Sequence, residues 1–546
     1  MRMGTALLLA ALPGLRAAQA EGGGAVKNAI DLMPWRAADD IIEGWDWSLP
    51  TGVKPVPYSG VKFWDKADRP FPGNRYVSIR SSWRECEPKE GDYDFEPLRK
   101  KLKGLPAWCA GAELHIYASV AETKYFTDSS LKEIRKTTPG TAPEWLVMEH
   151  QIPTTGEKPK TNLATPFQVV NYDIWRLEYH SRYLKFVEAF GRSGIARMKE
   201  VLISYVHGKS ASRGEEAGGR YEGTALERMK ERLAAWAKAF KGVEHKLAWV
   251  GHKSDLLDYA YDLGMGQRNG FVEMYLMHCE NPHLGQSIDE DGYLIVDETC
   301  PPIRHGRAFG DENEEYNKRT HVPRFGPIET WAHRYRESML RALQMRRNFI
   351  WAEGNPWVDT QLLSYVGLEL GRNTSNTPDV WCYLRQSYVR SRGKAKPVKN
   401  FERWLFQRDR GGYRTLPAVK VTIPDQLRCH HPKHKYDYIA RRTDMASGNS
   451  AIGFAVDDRF LSRGPYKVAI KVTYHDIGKG KWSMVYLTPN GEATCAVSCE
   501  NTGKIKTATF FLDDASFPAK GTAFDFEIRA TGDDATISFV RVIRTP

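Results

Sequence analysis

The sequence predicts an α/β fold, a (β/α)8 TIM barrel followed by an all-β sandwich domain, and two observations support this prediction. From about Ile41 to Tyr388, short apolar runs alternate with amphipathic helical stretches, which is typical of βα units around a parallel sheet. After about Lys396, short runs of alternating apolar and polar residues replace the helices, with Gly, Asp, Asn and Pro between them. That pattern is typical of a β-sandwich. We therefore expect a barrel over residues 25–395 and a sandwich over residues 420–546.

Eight strands can be counted in the first part of the chain, which is the number that closes such a barrel. In chain order they cover residues 41–48 (IIEGWDWS), 76–82, 113–120, 200–206, 246–250, 270–277, 307–310 and 348–352. The clearest helices cover residues 172–190, 225–241 and 329–347, where apolar and aromatic residues recur every three or four positions. In this fold the chemistry lies in the loops at the carboxyl ends of the strands, so functional residues are expected there.

The N-terminus predicts an exported protein. Residues 1–20 carry Arg2, then an apolar stretch, then the small residues Ala18 and Ala20. This is the pattern of a secretory signal peptide cleaved after Ala20, so we expect a secreted or periplasmic protein. No later apolar run approaches the roughly 20 residues that a membrane-spanning helix needs, and no membrane partner is expected.

The net charge of the chain indicates which kinds of ligand it is expected to bind. The formal net charge is +11, and removing Arg2 and Arg16 with the signal leaves +9. A positive field favours anionic ligands. The basic residues are dispersed and no nucleic-acid-binding motif is present, so we do not expect a nucleic-acid partner. The sequence does not indicate the oligomeric state.

Cysteine spacing and the common nucleotide motifs give little support for a cofactor. None of the eight cysteines falls in a CxxC pair, so a zinc ribbon is not expected. Export permits disulfides, and Cys495–Cys499 and Cys279–Cys300 are the shortest pairs to consider. The chain has no phosphate-binding loop, dinucleotide fingerprint or nucleophile elbow. We therefore predict no cofactor and no metal.

A specific motif follows the second predicted strand. The stretch WRECEPKEGDYDF begins at Trp83 and places Glu87 before a proline. It resembles the W-x3-E-P-x2-G-x-Y-x-F loop of clan A glycoside hydrolases, including the family 42 β-galactosidases. In those families the loop is architectural, which implies a structural role for Glu87. The later APEWL stretch is similar to their P-x-W-L segment, in which Trp145 would stack on a sugar ring.

The resemblance also implies a mechanism. Two carboxyl groups would flank the scissile bond, with the acid/base glutamate after the fourth strand and the nucleophile after the seventh. After the fourth strand, Gly214-Glu215 resembles the Gly-Glu of family 42-like loops, whereas the Asn-Glu usual in the clan is absent. Glu215 is therefore the acid/base candidate and Glu216 its register alternative. His207 would bind sugar or act as a partner of the acid.

The strand count decides the nucleophile. If IIEGWDWS is the first strand, the stretch FGDENEEYN follows the seventh, with Glu312 as nucleophile and Glu314 next in line. If IIEGWDWS instead precedes the first strand, FIWA becomes the seventh strand and Glu353 becomes the nucleophile. We favour the first count because GWDW resembles the first strand of such barrels, and because the helix over 329–347 fits between strands seven and eight.

Aromatic and histidine side chains near the predicted strand ends are expected to bind substrate. They are Trp45, Trp47, Trp83, Trp145, His207, His252, His278 and Trp351. The net charge and further arginines and histidines near strand ends favour an anionic glycan such as a sulfated galactan, although a neutral β-galactoside or β-glucan fits nearly as well. The sequence thus predicts a secreted glycoside hydrolase, for which the resemblance implies a two-glutamate, retaining mechanism. The alternative is a non-catalytic carbohydrate-binding protein on a degenerate barrel.

Overall fold

In the computed structural model, eight parallel strands close into a barrel. The structure describes residues 44–62, 71–156, 158–161, 165–206, 221–251, 254–270, 276, 278–313, 331–352, 361–422, 430–518 and 524–545. The strands up to the end of the barrel are β1 (Gly60–Lys62), β2 (Arg75–Ser82), β3 (Gly111–Tyr117), β4 (Val120–Phe126), β5 (Ile134–Pro139), β6 (Thr154–Gly156), β7 (Phe167–Tyr172), β8 (Val201–Tyr205), β9 (Leu247–Val250), β10 (Gly266–Gly270), β11 (Gln286–Ile288), β12 (Leu294–Val296), β13 (Phe309–Asn313) and β14 (Phe349–Ala352). The barrel order is β1-β2-β3-β8-β9-β10-β13-β14, with β14 closing on β1.

Helices surround the barrel and follow most of its strands. They are α1 (Trp83–Cys86), α2 (Glu96–Lys103), α3 (Trp145–Met148), α4 (Leu177–Ser193), α5 (Gly223–Ala239), α6 (Ser254–Asp262), α7 (Pro301–Arg304), α8 (Trp331–Gln344) and α9 (Gln361–Glu369). The three helices expected from periodicity correspond to α4, α5 and α8. In α4, Tyr179, Tyr183, Phe186 and Phe190 are buried in one cluster with the outer face of the strands, so the aromatic stripe is core packing.

The expected first strand is wrong. Residues 44–48 of IIEGWDWS are not in a strand, and residues 41–43 lie outside the described part of the chain. The first barrel strand is β1, which pairs with β14 and β2. The indoles of Trp45 and Trp47 stack at 5.4 Å and pack on Phe539 of the sandwich. The alternation of these tryptophans therefore reflects contact with the second domain.

The sixth strand begins earlier than expected. It was expected at 270–277, whereas the described strand β10 is Gly266–Gly270, with the polar sequence GQRNG. Gln267, Arg268 and Asn269 are all buried, so hydrophobicity does not reveal this strand. The eighth strand, β14, lies close to its expected range, whereas β13 begins two residues later than expected and includes Glu312. The strand β13 is the seventh because β1 takes the place expected for IIEGWDWS.

The second domain is a β-sandwich. Its strands are β15 (Asp379–Ser391), β16 (Lys394–Arg403), β17 (Leu405–Gln407), β18 (Leu416–Thr422), β19 (Tyr436–Arg442), β20 (Ala451–Val456), β21 (Arg463–His475), β22 (Lys481–Thr488), β23 (Gly491–Ser498), β24 (Ile505–Phe517), β25 (Phe526–Thr531) and β26 (Thr536–Arg544). One sheet contains β16-β15-β26-β21-β24 with β19 and β18, and the other contains β17-β20-β25-β22-β23. Both sheets contribute to one core, for example through Trp482 and Phe510. The strand β15 belongs to this sandwich, although its residues fall inside the range 25–395 expected for the barrel.

The sandwich is fused to the barrel through a buried, partly charged interface. Leu362 of α9 packs in one cluster with Tyr383 of β15 and Phe539 of β26. Within the same interface, Arg385 Nε lies 2.6 Å from a carboxylate oxygen of Glu337, and both side chains are fully buried. Apolar contacts thus join the barrel helices to the sandwich, and each charge of this buried pair has its partner in the other domain.

The seven described cysteines are all free, so both expected disulfides are wrong. Cys495 lies in β23 and Cys499 just beyond its end. Four residues of extended chain span about 13 Å, whereas a disulfide needs Cα atoms within about 7 Å. Cys279 is instead buried in the interface core, and the Cys300 thiol donates to the carbonyl of His283 at 3.4 Å.

Candidate functional site

A fully buried carboxylate lies inside the barrel. Glu113 of β3 accepts hydrogen bonds from the Lys62 ammonium and the Tyr205 hydroxyl, and from the Ser78 hydroxyl at 2.9 Å. His115 Nε2 lies 3.0 Å from the same carboxylate. Lys62 and Tyr205 end strands β1 and β8. One carboxylate therefore joins the first four strands of the barrel.

The electrostatics of this cluster keep Glu113 ionised. Burial by itself raises the pKa of Glu113, but the attraction of Lys62 and His115 outweighs burial and holds it well below the ordinary value. Burial and the nearby Glu113 charge raise the pKa of Tyr205 well above its ordinary value, so this hydroxyl stays protonated and donates. The cluster is thus a fixed negative charge held by fixed donors.

Trp351 of the eighth strand lies beside the same cluster. The Lys62 ammonium is 3.1 Å from the centroid of its ring, and the Arg268 guanidinium carbon is 4.9 Å away. Arg268 also lies 5.3 Å from the Tyr205 ring. Cations at these distances are attracted by the faces of aromatic rings. Trp351, which is expected to bind substrate, is thus a buried side chain of the barrel interior and packs against two buried cations.

The seventh strand is FGDEN. Asp311 is fully buried, and Arg347 Nε lies 2.6 Å from its carboxylate. Burial, opposed by Arg347, raises the pKa of Asp311 to about 6. The Arg347 guanidinium also lies 3.7 Å from the Phe309 ring, which packs with the helices. Asp311 therefore anchors the outer side of this strand.

Glu312 follows Asp311 in the same strand. Its backbone pairs with Gly270 on one side and with Trp351 on the other. Because successive positions of a strand alternate between the two faces of a sheet, position 312 is on the opposite face from Asp311. The strand thus places position 312 on the face that looks into the barrel.

Several of the predicted site residues lie outside the described residues. They are Glu215, Glu216, His207, His252, Glu314 and Glu353. His278 is described; it is half-buried and has a positive φ of 54°. The structure therefore gives the barrel positions of Glu312 and Trp351 and leaves the assignment of the acid/base residue a prediction.

The motif after the second strand is architectural, as expected for Glu87. Its carboxylate accepts from Trp83 Nε1 at 2.5 Å and from the Gly91 amide at 2.8 Å. Trp145 Nε1 donates to the Glu87 carbonyl at 3.2 Å. The rings of Trp83 and Trp145 are buried edge to face. These two indoles, like those of Trp45 and Trp47, contact the protein core rather than an open cleft.

Sequence reasoning missed Lys62, Glu113, Tyr205 and Arg268 as members of the cluster. A signal was present in the third strand, because Glu113, His115 and Tyr117 alternate with apolar residues in GAELHIY. Polar residues at every second position of a barrel strand indicate a polar interior. Lys62 ends a three-residue strand, which is too short for a periodic pattern.

One group of possible metal ligands is found among the described residues. Oxygen and nitrogen atoms of Glu90, Glu149 and His150 lie within 4.8 Å of one another. Arg182 donates to Glu90 at 2.9 Å and lies 2.8 Å from His150 Nδ1. His150 Nε2 already contacts Glu90 at 2.6 Å. The Arg182 guanidinium thus occupies the place that a metal ion would take.

Comparison with known proteins finds similarity in three-dimensional structure only. No family model matches the chain, and no curated protein matches it. Endoglycoceramidase II from Rhodococcus sp., as its lactosyl-enzyme intermediate, is similar over 86% of this chain and 89% of its own, with 10% identity and a TM-score of 0.31. Its iminocyclitol complex covers 87% and 90%, with 11% identity and a TM-score of 0.32.

The sandwich has a similar neighbour of its own. The C-terminal CBM6 of a marine laminarinase from Zobellia galactanivorans covers 26% of this chain and 99% of its own, with 11% identity and a TM-score of 0.15. At these identities and scores, none of the similarities assigns a family or a substrate to this chain. No helix of the described residues is long and apolar enough to cross a membrane.

Proposed function

We propose that this protein is an exported glycoside hydrolase that acts at the carboxyl end of its barrel. The observation that supports this most is the location of Glu312. It lies in the seventh strand, in register with Trp351 and on the face opposite the buried Asp311. This position is paired with a strand on each side and is in register with Trp351, which would suit a catalytic nucleophile at the carboxyl end of a barrel.

The proposed reaction uses two glutamates. Glu215 would protonate the leaving oxygen while Glu312 attacks the anomeric carbon, and water would then hydrolyse the glycosyl-enzyme, with Glu215 as base. Glu314 and Glu353 are the reserve nucleophiles. Retention requires the two carboxyl groups to lie about 5.5 Å apart. The anomeric form of the first product, followed by NMR, tests this stereochemistry.

The exposed Arg80 of β2 supports an anionic substrate, whereas the cations Lys62 and Arg268 are buried inside the barrel. Glu113 balances one of these charges from the same interior. We therefore propose a sulfated or carboxylated galactan as the first substrate to test, with neutral β-galactans and β-glucans as comparisons.

Matched variants test the site. Hydrolysis should fall by about 10³-fold or more in Glu312→Gln and Glu215→Gln, because each removes a group that reacts directly. Glu188→Gln is the control, since that glutamate is exposed on α4 and paired with Arg192. Unchanged hydrolysis in Glu312→Gln with loss in Glu353→Gln would transfer the role to Glu353. Glycan binding without hydrolysis by the wild type would support the non-catalytic alternative.

A further inference from the structure

A small sheet projects from the barrel between its third strand and α4. The strands β5-β4-β7-β6 form it in that order, and all their pairings are antiparallel. Its first residue, Val120, comes only three positions after Tyr117, the last residue of the third barrel strand. The sheet therefore leaves the barrel at the carboxyl end, where the proposed catalytic site lies.

Four side chains form one row across this sheet. Tyr125 pairs with Lys136 on one side and with Phe167 on the other, and Phe167 pairs with Lys160. Directly opposed residues of neighbouring strands point to the same face. The row therefore runs lysine, tyrosine, phenylalanine, lysine, and we call it the basic-aromatic row.

The ammonium groups of this row are exposed to solvent, and its two rings are partly exposed. Lys136 and Lys160 are exposed, and Tyr125 and Phe167 are half-buried. The two rings lie 6.1 Å apart, and the Lys160 ammonium is 5.3 Å from the Phe167 centroid. With neighbouring strands about 4.8 Å apart, the row spans roughly 14 Å. That length accommodates a short stretch of a linear polymer.

The charge of the row is not neutralised by the described residues around it. Lys136 and Lys160 form no ion pair with any acid in the described part of the chain, and the exposed Lys132, Arg135 and Lys158 nearby form none there either. The preceding residue of β4, Lys124, differs from these lysines, because it forms an ion pair with Glu122 at 3.0 Å. Within the described part of the chain, the row thus presents two ammonium groups without an acidic partner, one on each side of two aromatic rings.

We infer that the basic-aromatic row binds an anionic polysaccharide, sulfated or carboxylated, as it extends from the barrel. The apolar CH face of a sugar ring packs on an aromatic side chain, while the flanking ammonium groups attract the sulfate or carboxylate groups of the same chain. Aromatic and basic surfaces also bind single-stranded nucleic acids. The choice of a glycan here rests on the proposed function of the adjacent barrel.

The test measures binding and leaves hydrolysis aside. Glu312→Gln of the full chain would be titrated with a sulfated galactan, an uncharged galactan and single-stranded oligothymidylate. Lys136→Gln/Lys160→Gln in that background should weaken binding of the sulfated galactan about tenfold at low salt, since two exposed charge contacts contribute about 1.4 kcal/mol together. Lys124→Gln is the control and should bind as its parent does.

The outcomes separate this inference from the proposed function. Equal affinity of the double variant and its parent for the sulfated galactan overturns the inference, as does tighter binding of oligothymidylate than of any glycan. Loss of affinity for the uncharged galactan in Tyr125→Ala, with circular dichroism unchanged, supports stacking. If lysine-dependent binding of the sulfated glycan is found but no glycan is hydrolysed, the row retains its role and the catalytic proposal fails.

Discussion

Replacing Glu113 by Gln should strongly destabilise the barrel. The substitution removes the negative charge that pairs with Lys62, which is itself only 1% exposed. A buried cation left without its counter-charge typically costs about 3–5 kcal/mol. The Tyr205 and Ser78 hydroxyls also lose a charged acceptor. We expect a loss of that size in the free energy of unfolding.

Equilibrium urea unfolding, followed by far-ultraviolet circular dichroism, measures this loss. Glu188→Gln serves as the control, because it changes an exposed glutamate and should stay within about 0.5 kcal/mol of the wild type. Lys62→Met/Glu113→Gln should recover at least about 2 kcal/mol relative to Glu113→Gln, since it removes the unpaired cation as well. A cost below about 1 kcal/mol for Glu113→Gln, or no recovery in the double variant, would refute the reasoning.

The sign of the pH dependence gives a second check on the same residue. Because the pKa of Glu113 in the folded protein is well below its ordinary value, the stability it contributes is complete above the unfolded pKa. That contribution is lost as the pH falls through the folded pKa. The difference between wild type and Glu113→Gln should therefore persist at pH 5 and shrink only under strongly acidic conditions.

Three further predictions follow from other parts of the molecule. Burial and the nearby Asp379 raise the pKa of Glu369 to about 7, so the stability of the wild type should fall between about pH 4.5 and pH 7 relative to Glu369→Gln, as measured by urea midpoints. Trp47→Ala should cost about 3–5 kcal/mol in the same assay, because Trp47 is fully buried between the domains. Thiol titration in denaturant without reductant should find at least seven free cysteines, and fewer would contradict the structure.

The role of the sandwich is clearer from the structure than from the sequence. Alternating apolar runs were enough to predict a sandwich. A sandwich that supports the barrel and one that binds carbohydrate have the same sequence pattern. The buried pairs Glu337–Arg385 and Asp379–Arg541 lie where the sandwich meets the barrel helices. The side chains of Trp45 and Trp47 are packed there as well. The packing of the sandwich against the barrel helices is therefore visible only in the tertiary structure.

Errors in the sequence-based strand assignment have a common physical cause. The periodicity of apolar residues indicates which side chains are buried, but it does not indicate which part of the protein covers them. Trp45 and Trp47 alternate with polar residues because the sandwich covers them, and GQRNG is a barrel strand although its buried side chains are polar. The eighth strand lies close to its predicted range, because Phe349 faces the core of the barrel. The number of the seventh strand agrees only because β1, which the sequence did not reveal, replaces IIEGWDWS in the count.

The sequence by itself determined the barrel and the sandwich, because local periodicity follows from which residues avoid water. Its resemblance to clan A glycoside hydrolases also implied a structural role for Glu87. Only the tertiary structure decided that Glu113 gathers Lys62, His115 and Tyr205, and that Tyr125 and Phe167 share one face with two lysines. These contacts join residues from different strands, and strand register, which sets them, depends on the packing of the whole chain.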